Sequence, residues 1–128
     1  MSELAEKITG SELEVLEVLW QADKPLSVTP IRTRLETERG WDASTVKTLL
    51  RRLCDKGVVA AEKREVLYYR PLLERADYRR WSAHSLLNRV FQGSARDLIA
   101  SLVEEHSLSR GDLEELREIL YAEGEQDG

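Results

Sequence analysis

The side chains best suited to chemistry cluster in one short stretch near the middle of the chain. They are hydroxyl and basic residues, namely Ser44, Thr45, Lys47, Thr48, Arg51 and Arg52. Arginine pairs with guanine through two hydrogen bonds, and hydroxyl groups bond to bases or phosphates. Lysine supplies positive charge opposite a phosphate. A second basic pair, Lys63 and Arg64, follows further along the chain. These residue types predict contact with double-stranded DNA.

A helix over residues 43–56 would place the first group of side chains on one surface. Asp42 precedes this segment as a capping residue, because its carboxylate can accept hydrogen bonds from free backbone N–H groups. The apolar residues of the segment recur at helical spacing and consist of Val46, Leu49, Leu50 and Leu53. At about 100° per residue, the hydroxyl and basic side chains fall on the opposite face or at its borders.

The flanking segments predict the elements that would hold this helix. Thr9 and Glu12 form a capping-box pattern at the start of a helix over about 10–21. A second helix is predicted over about 28–37, where Ile31 and Leu35 face inward. After the third helix the spacing changes, and residues rich in valine and tyrosine predict two short strands joined by a charged turn at residues 62–65.

Three helices followed by a two-stranded ribbon predict a mainly α fold with a small antiparallel β-wing. Residues 1–72 would form a winged helix-turn-helix domain that binds DNA. Lys63 and Arg64 would lie at the wing tip, beside the neighbouring backbone or minor groove.

Residues 73–128 predict a helical dimerisation domain with an acidic tail that frays from Ala122. Within it, Ser94 is the predicted start of a helix. The apolar positions of these helices are Leu86, Leu87, Val90, Leu98, Ile99, Leu102, Val103, Leu113, Leu116, Ile119 and Leu120. Such stripes are too numerous for so short a segment to bury alone. A homodimer that buries them between two copies is therefore expected.

The net charge of −5 hides a local excess of positive charge. Residues 43–70 contain seven basic and three acidic residues, which gives +4. Since salt screens charges beyond about 10 Å, DNA would respond to this local field. No apolar run approaches the ~20 residues of a membrane span, and the acidic, polar start of the chain is unlike a secretory signal. A cytoplasmic protein without a membrane partner is expected.

No set of residues predicts catalysis, a metal site or a cofactor. The sequence has no glycine-rich phosphate loop, no nucleophile elbow and no Cys–His pair at suggestive spacing. Cys54 is the single cysteine, and His84 and His106 have no ligand pattern around them. Cys54 leaves two interpretations open, a small buried apolar residue or, less favoured, a redox switch.

Two classes of function remain. One is a DNA-binding repressor, and the other is a protein-interaction module that keeps a winged-helix scaffold without reading DNA. A charged outer helix face is usually only a solvated face, so composition alone does not favour DNA over the interaction module. The basic helix, the basic wing and the order of elements together favour DNA.

Four segments carry a resemblance to a known family. They read LEVLEVLW (13–20), TVKTLLRRLCDKGVV (45–59), LYYRPL (67–72) and LSRGDLEELREIL (108–120). With this spacing the chain resembles the BlaI/MecI family of bacterial repressors, which control β-lactam resistance in some species. The resemblance implies a homodimer whose N-terminal winged helices bind palindromic operators and whose C-terminal helices intertwine.

The resemblance also implies a route of release from DNA. In the best-known members a membrane sensor triggers proteolytic cleavage in the helix that matches residues 94–105, which makes a sensor-linked protease a possible partner. The cut bond would fall near Ser101 and Leu102 in this chain. Those members have an asparagine–phenylalanine pair there, so the same cleavage specificity is not expected. The cysteine cluster of copper-sensing relatives is also missing.

Overall fold

The structure is a computed structural model that describes the backbone of residues 2–127 and the side chains of residues 3–119 and 121. Its elements are α1 (Ser2–Glu6), α2 (Gly10–Ala22), β1 (Leu26–Ser27), α3 (Val28–Arg39), α4 (Ala43–Asp55), β2 (Val59–Lys63), β3 (Leu67–Pro71), α5 (Arg75–Val90), α6 (Ala95–Glu104) and α7 (Arg110–Asp127). The fold is mainly α with a small antiparallel sheet, which confirms the predicted class. The chain divides into two compact units, an N-terminal unit (Met1–Ala83) and a C-terminal unit (His84–Gly128).

Three helix starts have the predicted caps. The Thr9 hydroxyl accepts from the Glu12 N–H at 3.3 Å, while the Glu12 carboxylate accepts from the Thr9 N–H at 3.0 Å. Asp42 caps α4, and Ser94 caps α6 by accepting from the N–H of the third helical residue. These bonds satisfy backbone groups that a helix leaves free at its start, so the helices begin where the sequence predicts.

The end of α4 is fixed by Gly57. This residue has a φ of 77°, in the left-handed region that favours glycine. Its N–H donates to the Cys54 carbonyl, and the Val58 N–H donates to the Leu53 carbonyl, each at 3.0 Å. This pair of bonds closes the helix and turns the chain directly into the sheet.

The sheet contains one strand that the sequence did not predict. Its order is β1-β3-β2, and β1 pairs with β3 through the register Leu26↔Tyr69 and Ser27↔Tyr68. The two-residue β1 is too short to show the alternating pattern of a strand. The five-residue α1 was missed for the same reason, although it contributes the buried Ala5.

The N-terminal unit has a complete apolar core built from α2, α3, α4 and the sheet. Its fully buried large residues are Val15, Leu16, Leu19, Ile31, Leu35, Val46, Leu50, Leu53, Val58 and Leu73. The Trp20 indole N–H donates to the Leu73 carbonyl at 2.9 Å. Tyr78 then lies between Trp20 and Trp81, with ring centroids 5.9 and 6.0 Å apart.

These aromatic contacts carry the N-terminal unit past residue 72 and into the first half of α5. Through the contact between Trp20 and Tyr78, they join α5 to α2. A functional division after residue 72 stays a prediction, because compactness alone does not assign a role to either part.

The C-terminal unit has no comparable core. Among the described side chains of residues 84–121, none is fully buried. The large apolar residues that are strongly exposed there are Leu86, Val90, Leu102, Val103, Leu113, Ile119 and Tyr121. Half-buried ones are Leu87, Phe91, Leu98, Ile99, Leu108 and Leu116. The side chain of Leu120 lies outside the described residues, and fraying of the tail stays a prediction.

Candidate nucleic-acid interface

Helix α4 has the two-faced character that its sequence predicts. The apolar stripe of Val46, Leu49, Leu50 and Leu53 is buried against the core of the N-terminal unit. On the other side, Ser44, Thr45, Lys47, Arg51 and Arg52 are exposed and Thr48 is half-buried. No large apolar side chain is strongly exposed on α4, whose residues are all described. This polar, basic surface suits DNA better than an apolar protein partner.

The first turn of α4 is held by the Asp42 carboxylate. Its Oδ1 accepts from the Thr45 N–H and from the Ser44 hydroxyl, each at 2.8 Å. The Thr45 backbone bond first, and then the Ser44 hydroxyl, hold the pKa of Asp42 below its usual value. Ser44 therefore donates its proton to the cap, which leaves its oxygen free only as an acceptor.

The cations on α4 are available to a ligand. Lys47, Arg51 and Arg52 form no ion pair with any of the side chains that the structure describes. Arg52 also lines a shallow depression with Ser44, Thr45, Thr48 and Leu49. An unpaired guanidinium beside hydroxyl groups can donate to phosphate oxygens or to guanine in a major groove.

Lys56 is different, although it belongs to the same basic stretch. Its Nζ donates to both oxygens of the Glu12 carboxylate at 2.6 and 2.8 Å, and to the Lys7 carbonyl at 2.8 Å. Glu12 is only 1% exposed. This charge therefore anchors the end of α4 to the start of α2 and does not add to the DNA-facing field.

The ionisation of Glu12 fits this arrangement. Burial by itself would raise the pKa of Glu12, but hydrogen bonds from Lys56 and from the Thr9 N–H outweigh it, so the pKa is lowered. The sequence predicts Glu12 only as a capping residue of α2. Its partner stands 44 positions away, and no local pattern links the two.

The wing is the β2–β3 hairpin, with Lys63 opposite Leu67 in the last pair. The turn consists of residues 64–66, later than the predicted turn around 62–65, because Glu62 and Lys63 still pair within the strand. Arg64 lies over the Tyr68 ring at 5.0 Å and 3.5 Å from the Glu62 carboxylate. Lys63 is exposed and has no ion pair among the described residues.

The remaining candidate features are the Cys54 thiol, clusters of metal ligands and membrane-spanning helices. Burial, and secondarily the charge of Asp55, raises the pKa of the half-buried Cys54 thiol. This keeps the thiol protonated, which does not favour the redox interpretation. Within residues 2–127 no cluster of three potential metal ligands occurs. No helix in that range is both long enough and apolar enough to cross a membrane.

Comparison with known families gives a match over most of the chain. The family described as Penicillinase repressor matches residues 8–122. The methicillin resistance regulatory protein MecI of Mammaliicoccus sciuri is 31% identical over 115 residues, which cover 89% of this chain and 93% of that protein. The penicillinase repressor of Bacillus licheniformis is 30% identical over 115 residues, which cover 89% of each chain.

A solved structure resembles part of the fold. The solution structure of the Bacillus licheniformis BlaI monomeric form in complex with the blaP half-operator matches with a TM-score of 0.51 and 30% identity. The match covers 56% of this chain and 88% of that one. This likeness confirms the winged-helix fold that the element order predicts.

Proposed function

The chain belongs to the penicillinase repressor family, and on that premise we propose that it is a homodimeric transcriptional repressor that recognises a palindromic DNA operator. The observation that carries the proposal is the outer face of α4, where unpaired cations and hydroxyl groups lie together on a helix whose other face is buried. The relatives are named as repressors, and one solved neighbour is bound to a half-operator. Operators of β-lactam-resistance or related stress genes are the proposed targets.

We propose a division of labour among the polar residues of α4. Arg51 and Thr48 lie centrally on the outer face and would contact base edges in the major groove. Lys47, Arg52, Ser44 and Thr45 lie towards its borders or its first turn, where phosphate contacts fix the register of the helix. In the wing, Lys63 and Arg64 would contact the neighbouring backbone.

The proposed homodimer rests on the C-terminal unit. Its exposed and half-buried apolar side chains recur along all three helices, and none of those that the structure describes is fully buried. A second copy supplies the same surface in return, as symmetric dimers do. Two winged helices held about 34 Å apart would then occupy successive major grooves on one side of the duplex.

Release from the operator is proposed to act through this dimer. Leu102 is 36% exposed and Ser101 is half-buried on α6, so a cut between them would fall inside the proposed dimer surface. A sensor-linked protease is the proposed agent in the cytoplasm. Its sequence specificity would differ from that of the best-known members, because the asparagine–phenylalanine pair is replaced.

The experiment that tests DNA reading starts from a pool of random duplexes, from which the wild-type protein selects its preferred sequence. Arg51→Ala should then reduce the preference for the selected duplex over random DNA by about fivefold to 150-fold, since a good base contact contributes about 1–3 kcal/mol. Lys47→Ala is the matched control on the same helix. It should weaken binding to both duplexes equally and lower the salt slope by about one unit.

Two results would contradict the proposal. A pool without enrichment would remove the claim that the protein reads sequence. Equal loss of preference in the Arg51 and Lys47 variants would leave DNA binding intact but remove the division between base and phosphate contacts.

A further inference from the structure

The first turn of α4 contains a hydroxyl group whose hydrogen-bonding role is fixed by its own helix cap. The Ser44 hydroxyl lies 2.8 Å from Oδ1 of Asp42, which also accepts from the Thr45 N–H. An ionised carboxylate can only accept hydrogen bonds, so the proton between the two oxygens belongs to Ser44. Rotating the hydroxyl away would leave these oxygens in contact with no proton between them. Ser44 therefore offers a ligand lone pairs and no donor.

This acceptor lies on the central line of the outer face of α4. At about 100° per residue, Ser44, Thr48 and Arg51 follow one another along one side of the helix, opposite the buried stripe. Ser44 and Asp42 are exposed, and Ser44 lines the same shallow depression as Thr48. A ligand that contacts Thr48 and Arg51 would therefore also meet the Ser44 oxygen.

A phosphate is a poor partner for this group. Position in the first turn places Ser44 with the phosphate contacts proposed above, but phosphate oxygens are acceptors and need a donor. The donor of Ser44 is already used, and the carboxylate beside it is charged, because the Thr45 N–H and the Ser44 hydroxyl hold the pKa of Asp42 below its usual value. Two acceptors, one of them negative, repel a phosphate. The hydrogen bonding of the first turn therefore revises the role that position alone gives to Ser44.

Base edges in the major groove supply the donor that a phosphate lacks. Cytosine presents its N4 amino group there, and adenine presents its N6 amino group beside the N7 acceptor. Guanine and thymine present only acceptors for hydrogen bonding. Adenine N7 would face the lone pairs of Ser44 and Asp42, and adenine is best read by amides, which combine a donor with an acceptor. A pair of acceptors without a donor therefore favours cytosine.

We propose that Ser44, held by Asp42, is a specificity-determining residue that accepts a hydrogen bond from the N4 amino group of a cytosine in the major groove. This contact rests on the DNA-binding function proposed above and adds one base to what α4 reads. Asp42 is the positioning residue, because its carboxylate takes the serine proton and places negative charge where the amino group arrives.

The test compares the sequences that the wild type and its variants select from the random pool. Ser44→Ala should reduce the preference for cytosine at one position of each half-site by about threefold to tenfold, as expected for the loss of one hydrogen bond. The other positions should keep their preferences. Thr45→Ala is the matched control, because it removes the neighbouring hydroxyl and keeps the N–H that Asp42 accepts. It should weaken binding to all duplexes alike and change no base preference.

A modified duplex tests the amino group directly. N4-methylcytosine still pairs with guanine, but a methyl group replaces the amino hydrogen that faces the major groove. The wild type should bind a duplex with this base about threefold to tenfold more weakly than the unmodified duplex, whereas Ser44→Ala should bind both alike. Asp42→Asn keeps a residue that can cap the helix but adds an amide donor, so it should admit adenine at the same position.

Several outcomes would overturn the inference while the repressor function stands. They are equal loss of affinity for all duplexes in Ser44→Ala, a changed preference at a position that is not cytosine, and an Asp42→Asn protein that excludes adenine as strongly as the wild type. Equal binding of the methylated and unmodified duplexes by the wild type would overturn it without any variant, so a variant that fails to fold does not spare it. A pool without enrichment would overturn the proposed function itself.

Discussion

The two units of the chain use apolar residues in opposite ways. In the N-terminal unit, leucine and valine side chains from three helices and the sheet meet in one core, and most are fully buried. In the C-terminal unit the same residue types recur at helical spacing, yet none of the described side chains is fully buried. The N-terminal unit therefore buries its own apolar residues, whereas the apolar surface of the C-terminal unit is the one proposed to pair with a second copy.

Under the proposed function, this difference would let a small protein combine a rigid reading helix with release from DNA. A recognition helix must keep its geometry, so it belongs on a self-sufficient core held by long-range contacts such as Lys56–Glu12. The proposed dimer interface, by contrast, consists of helices whose described side chains are nowhere fully buried. Separation of the two copies would therefore abolish the second DNA contact while the first winged helix remains folded.

The largest expected effect comes from breaking the C-terminal unit. Leu102→Asp would place a charge in the proposed dimer interface, where an unpaired carboxylate is costly. Affinity for the selected duplex should fall by about 100-fold to 10,000-fold, because the two half-site readers are no longer linked. Fluorescence anisotropy would measure the affinity, and sedimentation would measure the oligomeric state.

Ala100→Asp is the matched control, since it places the same charge on the opposite, exposed side of α6. It should stay dimeric and bind as wild type. A Leu102→Asp protein that is shown to be monomeric but keeps wild-type affinity would sever the proposed link between dimerisation and operator binding.

The next largest effect concerns the buried core of the N-terminal unit. Leu50 is fully buried on α4, so Leu50→Ala should lower the free energy of unfolding by about 2–5 kcal/mol through lost contacts and a cavity. Leu72→Ala removes the same atoms from an exposed position and should cost less than about 1 kcal/mol. Urea unfolding measures both, and similar costs for the two substitutions would contradict the burial described for α4.

The smallest effect concerns acid stability. The lowered pKa of Glu12 means that this carboxylate contributes stability above its ordinary value of 4.5, and that the contribution is lost as pH falls through the lower folded value. A single group can add at most one proton to the linkage, about 1.4 kcal/mol per pH unit. Below pH 4.5 the unfolding free energy of the wild type should therefore fall more steeply than that of Glu12→Gln.

Glu36→Gln supplies the control, because Glu36 is an exposed glutamate that forms no ion pair among the described side chains. It should retain the wild-type slope. Parallel slopes for wild type and Glu12→Gln would show that the Glu12–Lys56 contact does not hold the carboxylate in its charged form.

Much of the fold could be predicted because its signals are local. Capping residues such as Thr9, Asp42 and Ser94 stand next to the helices they start, and Gly57 stands where α4 ends. Apolar spacing then identifies the buried face of α4 and, by difference, its polar face. The elements that were missed, α1 and β1, are too short to repeat any pattern.

The contacts that complete the site could not be predicted, because they join residues that are distant in sequence. Lys56 belongs to the basic stretch of the sequence, but in the structure its ammonium group pairs with the Glu12 carboxylate. Arg64 is predicted to lie at the wing tip beside DNA, and in the structure it also lies over the Tyr68 ring across the hairpin. In both cases the sequence identifies a charge, and only tertiary structure identifies its partner.

The measurement that tests the account most directly is the mass of the complex between the full chain and its selected duplex, determined by sedimentation at saturating protein. Two chains on each duplex are expected, with a selected sequence that is an inverted repeat. A single chain on a sequence without a repeat would contradict it, because one winged helix would then suffice and the exposed C-terminal surface would have another purpose.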